Sequence, residues 1–107
     1  MIEHLKTIIS EREEILKSNS IEIDFDEGDG ADEWYEKANV PWMKCELAFL
    51  DEKMASITWW ETGYSSFNIA TVENNEVKTP YDEFSDITSV EEMKSAVDEF
   101  IKKFLEA

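Results

Sequence analysis

Apolar residues recur along this chain with two different periods, and the change of period divides it into helices and strands. Ile2, Leu5, Ile8, Ile9, Ile15 and Leu16 fall on one stripe at helical spacing, which predicts a helix over 2–17. Arg12 interrupts the stripe and is expected to snorkel to water. Glu13 and Lys17 form an i,i+4 pair in the favourable orientation. Ser18-Asn19-Ser20 stops the helix. From 20 to 26 the period falls to two, with Ile21, Ile23 and Phe25 directed to a core and Glu22, Asp24 and Asp26 to water.

The stretch from Glu27 to Asn39 reads as a loop signalled by Gly28 and Gly30, with a short helical turn expected over 32–37. Strands are predicted over 42–50, 54–61, 64–72 and 76–79. Their connections are Asp51-Glu52-Lys53, Thr62-Gly63 and Asn74-Asn75; Gly and Asn tolerate the positive φ that tight hairpins demand. Pro80 is expected to end the fifth strand as a blunted edge. Over 90–105, Val90, Met93, Val97, Phe100, Ile101 and Phe104 restore the helical period. Ser89 with Glu92, or Thr88 with Glu91, fits a capping box at its start, and Lys102 and Lys103 complement the dipole at its end.

The order helix, five strands, helix, with hairpin-length connections, predicts an α+β fold of one domain spanning 1–107. It is an antiparallel β-meander with an N-terminal and a C-terminal helix packed on one face. The strand period then sorts side chains. Cys45, Leu47, Phe49, Ile57, Trp59, Phe67 and Ile69 share the core face. Trp60 lies on the other face with Ser56 and Thr58, near Glu46, Ala48, Ser66 and Asn68. A large ring among small polar residues is either an anchor for a partner or a side chain capped by Pro41-Trp42 or a loop.

Charge alters this picture more than composition does. Hydrophobic residues make up 42% and aromatic residues 12%, enough for a core in a chain of 107 residues. Twenty-six acids against ten bases give a formal net charge of −16. Such a surface repels nucleic acid and anionic membranes and attracts cationic proteins, whose approach it accelerates. Glu22, Asp24, Asp26, Glu27, Asp29, Asp32, Glu33 and Glu36 follow one another without an intervening Lys or Arg, and Trp34-Tyr35 lies inside the run. The run reads as a solvated strand and loop, or as a docking surface with aromatic anchors and a charged rim.

Other chemistry finds little footing. Counted from Asp24, the calcium-loop pattern needs Gly at the sixth position and Glu at the twelfth, where Asp29 and Tyr35 stand. His4 is the only histidine, and Cys45, the only cysteine, falls on the apolar side of its strand. No phosphate loop or serine elbow is present. No metal or cofactor is therefore expected. No run approaches about 18 consecutive apolar residues, and the N-terminus opens an amphipathic helix, so the cytoplasm is the expected compartment.

The segment Ile57-Thr58-Trp59-Trp60-Glu61-Thr62-Gly63-Tyr64, with Trp34-Tyr35 and Pro41-Trp42 upstream, resembles the TriTu immunity family of contact-dependent growth inhibition systems. The likeness extends over the whole chain in length and element order. It implies a cytoplasmic inhibitor of a nuclease toxin, for that group a tRNA-cleaving RNase working in a complex that includes elongation factor Tu. The partner-binding residues expected are Asp26, Glu27, Asp29, Asp32, Glu33 and Glu36 for charge, and Trp34, Tyr35, Trp60, Glu61 and Tyr64 for the anchor patch. The competing readings are an acidic nucleic-acid mimic that inhibits a DNA-binding protein, and a small enzyme.

Overall fold

In the computed structural model, which describes residues 2–30 and 40–107, the two periods resolve into eight elements. They are α1 (Ile2–Glu11), α2 (Glu13–Ser18), β1 (Glu22–Gly28), β2 (Trp42–Phe49), β3 (Lys53–Trp60), β4 (Tyr64–Glu73), β5 (Glu76–Asp86) and α3 (Val90–Glu106). The strands form one antiparallel sheet in the order β1-β2-β3-β4-β5. The fold is therefore α+β, a five-stranded meander with a helical segment, α1 and α2, before it and the helix α3 after it.

Residues of even and odd number part company on the sheet as the alternation requires. Met43, Cys45, Leu47, Ala55, Ile57, Trp59, Phe67 and Ile69 are buried beneath Leu5, Ile8, Ile9 and Leu16 of α1 and α2 and beneath Met93, Val97, Phe100, Ile101 and Phe104 of α3. Trp59 meets Phe67 edge-on at 5.6 Å, and Phe67 meets Phe100 at 5.3 Å, so aromatic contacts run from β3 through β4 into α3. The three described helices thus lie on one face. Lys53 holds α3 in place: its Nζ donates to the carbonyls of Phe104, Leu105 and Ala107 at 2.8, 3.2 and 3.3 Å. These carbonyls lie at the C-terminal end of α3, where the intrahelical ladder runs out of donors; Phe104 O accepts also from Ala107 N–H at 3.2 Å.

The single helix expected over 2–17 is broken at Arg12. The Arg12 N–H donates to Ile9 O at 3.0 Å, one residue short of the α-helical partner. The acceptor so abandoned, Ile8 O, is taken by the Arg12 guanidinium at 2.8 Å. That guanidinium also forks onto the Asp98 carboxylate of α3. Arg12 therefore does not snorkel freely to water, as its place in the stripe suggested. It exchanges a helix bond for a link between two helices. The break rotates α2, and Ile15, assigned to the buried stripe, is 53% exposed.

The end of α2 is a Schellman motif. Ser20, at φ 61°, donates to Lys17 O at 3.0 Å, Ile21 donates to Leu16 O at 3.0 Å, and both Leu16 and Ile21 are buried. Gly usually fills the left-handed position that Ser20 holds. At the other end of the chain, Ser89 Oγ accepts from Glu92 N–H at 3.1 Å, which settles the start of α3 in favour of the Ser89 register.

The fifth strand corrects its expected boundary. It does not stop at Pro80 but runs on to Asp86, with Ile69 opposite Tyr81 and Thr71 opposite Lys78. Thr79 and Pro80 together oppose Ala70, so β5 carries a bulge there. On an edge strand the missing Pro N–H costs no ladder bond, and the strand resumes beyond it. The turn before it matches the sequence reading: Asn74 and Asn75, at φ 52° and 67°, form a hairpin with both central residues left-handed.

Candidate partner-binding surface

The second face of the sheet has a composition of its own. One row across it reads Asp24, Glu46, Ser56, Asn68 and Asp82, each directly opposite the next. The adjacent row reads Asp26, Lys44, Thr58, Ser66 and Phe84. In the row at the sheet's end, Gly28 faces Trp42, Trp42 faces Trp60, and Tyr64 faces Asp86. Among the described residues no element packs on this face, and Lys44 is the only Lys or Arg along these rows. Its Nζ lies 2.9 Å from Glu46.

Aromatic rings form a line at the end of this face. Trp60 packs on Tyr64 with centroids 5.1 Å apart. Tyr64 stacks on Phe84 at 5.8 Å with an interplanar angle of 15°. Phe84 is 57% exposed. Trp42 lies flat across β1 because position 28 is glycine: a Cβ there would stand 2.5 Å from the indole. The β3–β4 hairpin that brings Trp60 to Tyr64 turns on Gly63, at φ 94°, whose N–H donates to Trp60 O at 2.9 Å. Its carbonyl accepts from Ile87 N–H at 2.8 Å, which ties the end of β5 to the same corner.

The expected site residues distribute unevenly over this geometry. Asp26, Trp60 and Tyr64 lie on the open face, and Asp26 Oδ1 accepts from Glu27 N–H at 2.9 Å. Glu27 and Asp29 line a cleft of about 350 Å³ at the same end of the sheet, with Ile2, Gly28, Pro41 and Trp42. Glu61 has a structural partner: its carboxylate accepts from Ile2 N–H at 3.2 Å, at the N-terminus of α1 where a negative charge is favoured. Asp32, Glu33, Trp34, Tyr35 and Glu36, and the helical turn expected over 32–37, lie outside the described residues. Sequence reasoning missed Phe84, Asp82 and Asp86, because β5 was ended at Pro80. The alternation Asp82, Phe84, Asp86 was the signal available.

Reactive groups are few. Cys45 is fully buried, and burial, reinforced by Asp24 and Glu46, pushes its thiol up to about 12, so it stays protonated at neutral pH. Among the described residues no three His, Cys, Asp or Glu side chains are grouped to hold a metal ion. No helix among them is long and apolar enough to cross a membrane. No protein family, curated protein or solved structure matches this chain.

Proposed function

We propose that the protein is an immunity protein that acts in the cytoplasm, binding a cognate nuclease toxin and masking its basic active-site or RNA-binding surface with the open face of the sheet. The toxin class is the one that the resemblance to the TriTu immunity family implies, a tRNA-cleaving RNase in a complex that includes elongation factor Tu. The observation that carries this reading is a sheet face, covered by none of the described elements, on which carboxylates surround a line of aromatic rings. Rings supply the desolvated contact that holds a complex, and the acids accelerate and orient its formation. A partner interface of ordinary size buries about 800 Å² on each side, within the reach of one face of a five-stranded sheet. A net charge of −16 favours a cationic protein over nucleic acid or an anionic membrane as the partner.

The test is charge reversal confined to one face. Asp24→Lys, Glu46→Lys and Asp82→Lys together are expected to slow association with the cognate toxin domain at least tenfold at low ionic strength, with the far-UV circular dichroism spectrum unchanged. Reversal of Glu11, Glu14 and Glu91, on the helices, is expected to change the rate much less. Equal effects from the two triples would remove the open face from the proposal. Inhibition of many unrelated DNA-binding proteins, instead of one cognate toxin, would favour the nucleic-acid mimic.

A further inference from the structure

Phe84 occupies a position on the open face that general anion–cation attraction does not require. Its ring stacks on Tyr64 at 5.8 Å, yet the residue remains 57% exposed. Asp82 and Asp86 stand two residues to either side on β5 and point to the same face, each about 7 Å away along the strand. Ser66 lies directly opposite Phe84, so no bulky side chain fills the neighbouring position on β4.

We propose that Phe84, with Asp82 and Asp86, is a station for an arginine side chain of the partner. This rests on the reading that the open face docks a cationic protein. An aromatic face carries a negative quadrupole that attracts a cation. A carboxylate beside the ring takes up N–H donors that radiate parallel to the ring face. A guanidinium answers both requirements at once, because it is flat, weakly hydrated, and presents its donors around its rim while its face stacks. A lysine ammonium is compact and strongly hydrated, and it satisfies the carboxylates without using the ring face as fully. A neutral apolar group would gain nothing from the charge of the two aspartates, and an anionic group would be repelled by them.

The experiment compares octa-arginine and octa-lysine peptides binding to the full chain at low ionic strength. Affinity is read by calorimetry, and the Phe84 ring is followed by aromatic proton–carbon NMR. Octa-arginine is expected to bind about two- to fivefold more tightly, the range that a cation–π contact at an exposed ring yields. It should also shift the Phe84 ring signals more than octa-lysine does. Phe84→Leu is expected to abolish the preference, lowering octa-arginine affinity more than octa-lysine affinity, and Phe84→Trp to retain it. Equal affinities of the two peptides for the wild-type chain, or a preference that survives Phe84→Leu, overturns the arginine station and leaves the docking face standing. Binding of neither peptide, or shifts confined to the helix-covered side, overturns both. Should Phe84→Leu fail to fold, the wild-type ring shifts decide: equal displacement by both peptides overturns the station.

Discussion

Trp59 and Trp60 are neighbours in one strand, yet they belong to different environments. Trp59 is fully buried against Phe67 beneath the helices. Trp60 lies half-buried on the other face, packed on Tyr64 among carboxylates and small hydroxyls. The same backbone thus carries two sets of side chains under different constraints. One set must exclude water to hold the fold, and the other keeps bulky rings at the surface where folding alone does not demand them. A pleated strand separates these tasks at the level of odd and even residues.

The sharpest way to break this comparison is to truncate the two tryptophans in turn. Trp59→Ala is expected to cost about 3–5 kcal/mol in urea denaturation, since it removes the largest fully buried side chain and leaves a cavity. Trp60→Ala is expected to cost about 1 kcal/mol, with its main effect on partner affinity. Similar stability losses from both would mean that the open face is a second core. A smaller effect tests the link that the core face required of Arg12. Asp98→Asn is expected to lower stability by about 1 kcal/mol or less, because the Asp98 carboxylate stays more than half exposed to water.

That loss should also depend on pH. The hydrogen bond from Arg12 holds the Asp98 carboxyl below its ordinary range, against the opposing effect of burial. A lowered folded-state value means that the contribution is complete above the unfolded value near 3.9 and disappears as pH falls through the lower folded value. The difference between wild type and Asp98→Asn should therefore be constant from pH 5 to 8 and shrink towards pH 2, measured by thermal melting. The smallest effect expected is a gain. Ser20→Gly should stabilise by about 0.5–1 kcal/mol, since Ser20 holds a left-handed position at φ 61° where a side chain is disfavoured.

What could be read in the sequence follows the same division. The assignment of Cys45, Leu47, Ile57, Trp59, Phe67 and Ile69 to one face, and of Trp60 to the other, needed only the period of two, and the register bears it out. The break at Arg12 was not legible, because its cause is a carboxylate on α3, far away in the chain. Phe84 was overlooked for a similar reason: a proline ends a strand or sits in a bulge according to its neighbour on the next strand, and the local sequence does not say which. Of the acidic run, Asp26, Glu27 and Asp29 fall at one end of the sheet, whereas the stretch with Trp34 and Tyr35 lies outside the described residues.

The bulge at Thr79 and Pro80 has a further consequence. β5 is the longest of the described strands and forms one border of the sheet, which would make it a template on which a foreign chain could extend the hydrogen-bonded ladder. A kink, and a residue lacking an amide proton midway along that border, interrupt any such template. The protein can thus keep rings exposed on its open face while its margin resists the indiscriminate strand-on-strand growth that leads to fibrils.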